Sequence, residues 1–183
     1  MFREFLVEAP KIVPVEMSQT AEGVKFEGAH SGYVPPFGLT HARKLSLSLD
    51  GRSLVGEDLL IALNDTTGKA AETVLSEDID PNVDFQIRFH LHPEVDAALD
   101  LGGTTVAIAA KSGEIWIFRH ESSLFLTIEP GVYLEKNQPT PRASRQIVLS
   151  GMVNDALTRA QWSLSKTQDT AMAIRDLRLE ELR

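Results

Sequence analysis

Apolar and polar residues alternate along most of the chain, and this pattern predicts strands rather than helices. The clearest example lies between residues 85 and 92. Its apolar members are Phe85, Ile87, Phe89 and Leu91, and its polar members are Gln86, Arg88, His90 and His92. Because successive side chains of a strand point to opposite faces, one face is expected to be buried. The other face presents an arginine and two histidines.

Similar runs recur at short intervals, separated by Gly, Pro, Asn and Asp, which is typical of an antiparallel β-sandwich in an all-β fold. Asp50-Gly51 and Ser112-Gly113 predict tight hairpin turns. Gly102-Gly103 and Pro130-Gly131 predict two further turns. The predicted strands are Ile12–Met17, Gly23–Ala29, His41–Leu49, Ser53–Leu63, Val83–Leu91, Thr104–Ala110, Glu114–Arg119, Leu124–Glu129, Val132–Glu135, Arg145–Leu149 and Ala160–Leu164.

The pattern changes near the end of the chain. Ala171, Ile174, Leu177 and Leu182 recur at helical spacing, with Asp169 as the N-cap of the helix that they predict. The sequence therefore predicts a β-sandwich domain over residues 1–166 and a short helical tail over 167–183.

Composition narrows the possible functions. The formal net charge of the 183 residues is -8, which argues against a nucleic-acid binder steered by a basic field. The chain has no cysteine, which excludes disulfides and thiolate metal ligands. No apolar run approaches the ~20 residues of a membrane span, and the N-terminus lacks the order of a secretory signal. The residues alone leave the compartment open.

Five segments resemble the heparinase II/III-like proteins, and their order along the chain also matches. They are His30-Ser-Gly-Tyr33, His41–Asp58, which is the longest, Ile87–Pro93, Ser112–Phe118 and Arg145–Gly151. Members of that family combine an N-terminal helical toroid with a C-terminal β-sandwich. By this resemblance the chain is most of the sandwich, without the toroid and the opening strands.

The resemblance implies a polysaccharide lyase that cleaves uronate-containing glycans, such as glycosaminoglycans, by β-elimination, and a location in the periplasm or cell envelope. Such chemistry needs a proton acceptor, a proton donor and neutralisation of the uronate carboxylate. Because the family supplies these groups largely from the toroid and the start of the sandwich, we expect the isolated chain to be inactive. The expected partners are an acidic polysaccharide and the toroid. The alternative is a non-catalytic carbohydrate- or protein-binding module.

The family also binds zinc in the sandwich through two histidines and an aspartate. The resemblance makes His41 the candidate ligand, with His30 as the alternative, and the remaining ligands are expected outside this chain. Zinc needs about four ligands, and no stretch of sequence here supplies a ready cluster of them. Tyr33 lies near both histidines in sequence and is the candidate for proton transfer. A histidine hydrogen-bonded at a strand end and a packing tyrosine are the simpler alternatives.

The candidate substrate-binding residues are Arg43, Arg88, His90 and His92. Guanidinium binds carboxylate and sulfate through paired hydrogen bonds, which suits an anionic sugar. The histidines on one strand face could also chelate a metal with a third group, or face solvent. A wider basic groove would add Lys44, Arg52, Arg142 and Arg145, although scattered arginines are more often ordinary surface residues.

Overall fold

The computed structural model of the chain describes residues 9–10, 13–62, 83–121, 123–136, 138 and 140–167. Strands dominate these ranges, and the paired strands run antiparallel, so the predicted all-β fold is confirmed. The predicted helix of the tail lies outside the described residues. The strands are β1 (Val15–Thr20), β2 (Gly23–His30), β3 (Leu39–Ser48), β4 (Ser53–Ala62), β5 (Asp84–His90), β6 (Asp96–Asp100), β7 (Thr105–Ala109), β8 (Ile115–His120), β9 (Phe125–Tyr133), β10 (Arg142–Met152) and β11 (Leu157–Lys166).

Two short helical segments interrupt the strands. The α-helix α1 (Val34–Phe37) connects β2 to β3, and a 3-10 turn (Leu101–Gly103) follows β6. Neither helix in the described ranges has the length and apolar character needed to cross a membrane.

The strands fall into two compact units, and β11 contributes residues to both. Unit 1 draws on Met1–Gly51, Val55–Phe85 and Met152–Gln161. Unit 2 draws on Arg52–Leu54, Gln86–Gly151 and Trp162–Arg183.

Unit 1 is built on a sheet in which the strand order is β1-β2-β3-β4-β11. Three buried side chains form a core cluster: Leu39 of β3, Ala62 of β4 and Val153. Backbone hydrogen bonds fix its borders: the Ala62 N–H donates to Ala156 O at 2.8 Å, and the Val153 N–H donates to Val83 O at 2.9 Å. Leu39 begins β3, so the strand that carries His41 is anchored in this core at its first residue.

Unit 2 is a sandwich of two sheets. One sheet has the order β11-β8-β7-β6, and the other has the order β5-β10-β9. Phe89 of β5 crosses the gap and meets Phe118 and Trp162 edge to face, with ring centroids 4.9 and 4.7 Å apart. Val148 and Leu149 of β10 are fully buried. The predicted sandwich architecture is thus present here.

Several local predictions are confirmed. Polar and apolar residues of β5 alternate between exposed and covered positions, as the sequence pattern requires. Gly51 adopts a φ of 68°, and its N–H donates to Ser48 O at 2.9 Å, which closes the predicted turn before β4. Gly113 closes the second turn in the same way, by donating to Ala110 O at 3.0 Å.

The predicted turn at Pro130-Gly131 is wrong. Both residues lie inside β9, in which Pro130 pairs with Arg145 and Gly131 pairs with Ser144. Proline has no N–H to donate, but β9 is at the edge of its sheet, where one side of the strand needs no partner. The Pro130 carbonyl accepts from Gln146 Nε2 at 2.9 Å.

The sequence analysis does not predict β6 (Asp96–Asp100). Its residues include two alanines and two aspartates, which are poor strand formers. Pairing with β7 along Asp96–Asp100 and burial of Ala97 hold the segment extended. This strand therefore depends on tertiary packing rather than on local preference.

Candidate functional site

The pairing of β2 with β3 places two of the predicted site residues opposite each other. His30 and His41 are cross-strand partners at the end of the β2–β3 pair. The Nδ1 atom of His41 lies 3.3 Å from the Nε2 atom of His30. Two residues that are eleven positions apart in the sequence therefore form one hydrogen-bonded pair.

A buried carboxylate holds this pair in place. Asp58 of β4 has a side chain that is only 3% exposed, and its Oδ1 atom accepts from His41 Nε2 at 2.8 Å. The same oxygen accepts from Arg43 Nε at 2.7 Å. His41 and Arg43 are two residues apart on β3, so their side chains share one face of the strand. A buried carboxylate requires such donors, because without them its desolvation is unfavourable.

The backbone determines the direction of the hydrogen bonds. The Gly32 N–H donates to His30 Nδ1 at 3.2 Å, so a neutral His30 carries its proton on Nε2. That proton points to His41 Nδ1, and His41 in turn donates from Nε2 to Asp58. Partial burial and, secondarily, the neighbouring His41 lower the pKa of His30 below its usual 6.5. A neutral His30 fits this chain of donors.

An aromatic turn lies beside the histidines. Tyr33 precedes α1, and its ring meets His30 edge to face with centroids 5.2 Å apart. Phe37 ends α1 and lies 6.4 Å from the Tyr33 ring. Both rings are exposed, Tyr33 by 44% and Phe37 by 51%. Residues four apart on a helical turn share one side, which explains why the rings are neighbours.

Zinc would need more donors than this site provides. No group of three or more His, Cys, Asp or Glu side chains is arranged to hold a metal ion within the described ranges. The Asp58 oxygen that faces His41 also accepts from Arg43, whose positive charge balances the carboxylate. These residues therefore do not make a zinc site by themselves. The predicted ligands His41 and His30 would need further ligands from elsewhere.

The remaining predicted residues, Arg88, His90 and His92, lie in unit 2. Arg88 donates from Nη1 to Glu129 Oε2 at 2.8 Å and from Nη2 to Gln86 Oε1. His90 is exposed at the end of β5. His92 lies beyond that strand, where its ring meets the Tyr133 ring edge to face at 4.9 Å.

Two other members of the predicted basic groove have local partners. Arg142 Nη1 lies 3.2 Å from Glu135 Oε2, and Arg145 Nη1 donates to Ala97 O at 2.7 Å. Lys44 is exposed on β3 next to Arg43, and Arg52 precedes β4. Arg142 and Arg145 thus have structural contacts. The contacts of these residues do not point to a shared basic groove.

Asp58 and Phe37 are not predicted from the sequence as site residues. A signal for Asp58 was available, because an acidic residue in the largely apolar run Leu54–Leu63 implies a buried partner. The pairing of His30 with His41 required the register of β2 against β3, which a single sequence does not specify.

The strands and the polar network define an all-β domain in which one sheet carries linked histidine, aspartate and arginine side chains. The family model for the heparinase II/III-like C-terminal domain matches residues 3–169, and the chain belongs to this family. The family predicted from the sequence segments is therefore confirmed.

Solved structures share the fold. Heparan sulfate lyase HepC from Pedobacter heparinus superposes with a TM-score of 0.63 at 11% identity, over 84% of this chain and 22% of that one. A heparinase III superposes with a TM-score of 0.59 at 14% identity, over 85% of this chain and 22% of that one.

One curated relative is similar in sequence. FtsZ-localized protein C of Caulobacter vibrioides (strain NA1000 / CB15N) is 29% identical over 165 residues, which cover 90% of this chain and 27% of that protein. The chain thus spans about a quarter of the length of the relatives that it matches.

Proposed function

We propose that this chain is the C-terminal β-sandwich of a larger lyase of the heparinase II/III type, and that it helps to form the cleft for uronate-containing glycans. Membership of the family supports the class. The proposed place of glycan binding is the hydrogen-bonded network of His30, His41, Arg43 and Asp58. It fixes polar side chains in one geometry through a buried carboxylate, which is what a preorganised binding surface requires.

The proposed role of the network is to bind an anionic glycan. Arg43 uses Nε for Asp58, and its terminal nitrogens are suited to a carboxylate or sulfate. The buried Asp58 keeps the guanidinium in position before the ligand arrives. Tyr33 stays the candidate for proton transfer, and the exposure of its ring would give a ligand access.

The isolated chain is expected to bind such glycans without cleaving them. β-Elimination needs a base, an acid and a group that neutralises the uronate carboxylate, and the family draws most of these from the toroid. The test is calorimetric titration with heparan sulfate oligosaccharides, together with an ultraviolet assay for unsaturated product. Binding without product is expected. Robust turnover would contradict the inactivity of the chain alone, and the lack of any glycan binding would contradict the cleft role.

The location is tested by a matched pair of variants. Arg43→Gln is expected to weaken glycan binding about tenfold, as loss of a charged hydrogen-bond donor does. Arg88→Gln removes an arginine of unit 2 that already pairs with Glu129, and it is expected to leave binding unchanged. The reverse result would move the proposed binding surface to β5 and the residues that follow it, where Arg88, His90 and His92 lie.

Zinc is proposed as a cofactor only with its remaining ligands from outside this chain. His41, or His30 in its place, would supply an imidazole ligand, and the remaining ligands would come from elsewhere. Zinc analysis of a longer protein that joins this chain to a toroid domain, with and without His41→Ala and His30→Ala, tests this. Loss of bound zinc in one of the variants supports the proposal, and zinc content unchanged by both contradicts it.

The relative from Caulobacter favours a second candidate, a non-catalytic module that binds a protein. That relative is described by its localisation to FtsZ, and its identity to this chain exceeds that of the lyase structures. The candidate predicts that the chain sediments with polymerised FtsZ but remains in the supernatant without it. A chain that stays in the supernatant in both cases would contradict this candidate.

A further inference from the structure

We propose that Tyr33 and Phe37 form an aromatic platform that stacks against the apolar face of a sugar ring of the bound glycan. This inference rests on the proposed function. It adds a binding residue, Phe37, and a mode of recognition that does not depend on charge.

The first support is the rigidity of the turn that carries the rings. The Phe37 N–H donates to Tyr33 O at 3.0 Å, and the Gly38 N–H donates to Val34 O at 2.8 Å. Two prolines lie inside α1, where their fixed φ removes backbone freedom. Gly38 adopts a φ of 67°, which ends the helix. The rings are therefore presented by a backbone that needs little ordering on binding.

The second support is exposure without a packing role. Phe37 is 51% exposed, although the turn is anchored by Leu39, which is buried in the core of unit 1. Large exposed aromatic rings close together are typical of a binding surface rather than of a structural element. The hydrogen bonds of the turn are made by its backbone, so Phe37→Ala leaves them in place.

The third support is the chemistry beside the rings. Tyr33 contacts His30 edge to face and lies 6.4 Å from the His41 ring, and Arg43 follows His41 on the same strand face. An apolar surface thus adjoins imidazoles and a guanidinium. A pyranose ring with an acidic substituent matches this combination, because it has C–H groups on its face and charge at its rim.

The experiment compares the affinity of the full chain and its variants for a heparan sulfate hexasaccharide by calorimetry. Phe37→Ala is expected to weaken binding about tenfold, which corresponds to loss of the burial of one aromatic side chain. Phe37→Trp is expected to keep or improve the affinity, whereas Phe37→Leu, which is apolar but not flat, is expected to behave like Phe37→Ala. Phe125→Ala is the matched control, since that ring is 69% exposed on β9 of unit 2.

The salt dependence of binding and the comparison of variants distinguish the aromatic platform from the rest of the proposed function. The loss caused by Phe37→Ala should persist at high salt, whereas the loss caused by Arg43→Gln should shrink. If Arg43→Gln weakens binding and Phe37→Ala does not, the platform is wrong and the glycan site stands. If the unaltered chain binds no glycan, both are wrong. If Phe37→Ala instead abolishes sedimentation with FtsZ polymers while glycan binding is unchanged, the rings serve a protein partner and the sugar platform is overturned.

Discussion

At the scale of single residues, the carboxylate of Asp58 determines how the site is held together. One oxygen accepts from both His41 and Arg43, at 2.8 and 2.7 Å. The carboxylate is buried, whereas Arg43 is partly exposed. Removing the negative charge would therefore leave a guanidinium that can rehydrate, and an imidazole whose acceptor is a neutral oxygen in place of a charged one.

We predict that Asp58→Asn lowers the free energy of unfolding by about 2–3 kcal/mol. This is below the full cost of breaking a buried ion pair, because Arg43 regains water. Urea denaturation measures the change. Glu129→Gln is the control: it breaks an ion pair with Arg88 whose two side chains are both more than one-third exposed, and about 0–1 kcal/mol is expected. Equal losses in the two variants would contradict the structural role of the buried carboxylate.

The lowered pKa of His30 predicts a dependence of stability on pH. The unfolded chain binds a proton near pH 6.5, while the folded chain binds it only at lower pH, because burial and the nearby His41 oppose the charge. The unfolded state therefore holds more protons in this window, and stability falls as the pH drops below about 6.5.

His30→Gln should flatten this part of the stability curve, because glutamine does not titrate. Unfolding measured between neutral and mildly acidic pH tests the expectation. An unchanged slope in the variant would mean that other groups cause the pH dependence.

At the scale of elements, the beginning of β2 requires a glycine. Gly23 has a φ of 149°, and a Cβ atom added there would lie 1.9 Å from the Leu47 carbonyl oxygen of the paired strand. Gly51 also has a positive φ, of 68°, but open space surrounds its Cβ position. A side chain at Gly51 would therefore meet only the unfavourable backbone conformation, whereas a side chain at Gly23 would also clash with β3.

We predict that Gly51→Ala costs about 1–2 kcal/mol, the usual penalty for a side chain at positive φ. Gly23→Ala should cost more, since β2 and β3 must also move apart. Thermal unfolding of both variants provides the comparison. A smaller loss for Gly23→Ala than for Gly51→Ala would contradict the register of β2 against β3.

The elements also show how far the sequence predicts the fold. The alternation in β5 and the turn at Gly51 are local properties, and both are confirmed. The turn predicted at Pro130 is wrong, because a proline fits within β9 only as long as that strand is at the edge of its sheet, which the sequence does not show. The sequence predicts which residues are candidates for the site, but which of them lie together depends on the register of the strands. Thus Arg43, His30 and His41 come together, while Arg88 lies in the other unit.

At the scale of the whole molecule, the edge strand β1 bears on the state of association. Among the strands that the structure describes, β1 is at one end of its sheet, and all six of its residues are exposed, including Met17 at 69%. An open edge with apolar side chains favours pairing with another strand. The net charge of -8 opposes the approach of a second copy, and salt screens this repulsion.

We predict that the chain self-associates at high protein concentration, more strongly at high salt, and that Met17→Lys reduces this association. Val55→Lys serves as the control, because Val55 is also exposed but belongs to β4, which has a neighbour on each side. Sedimentation velocity measures the distribution of species. If both lysine variants act alike, general surface apolarity rather than the β1 edge drives association.

Because one oxygen of Asp58 serves two side chains, evolution cannot easily alter this site one residue at a time. A lineage that replaces Asp58 with an apolar residue would leave Arg43 without its counter-charge, and we expect it to replace that arginine as well. Divergent relatives should therefore carry either both of these residues or neither, a covariation that an alignment of many relatives would reveal.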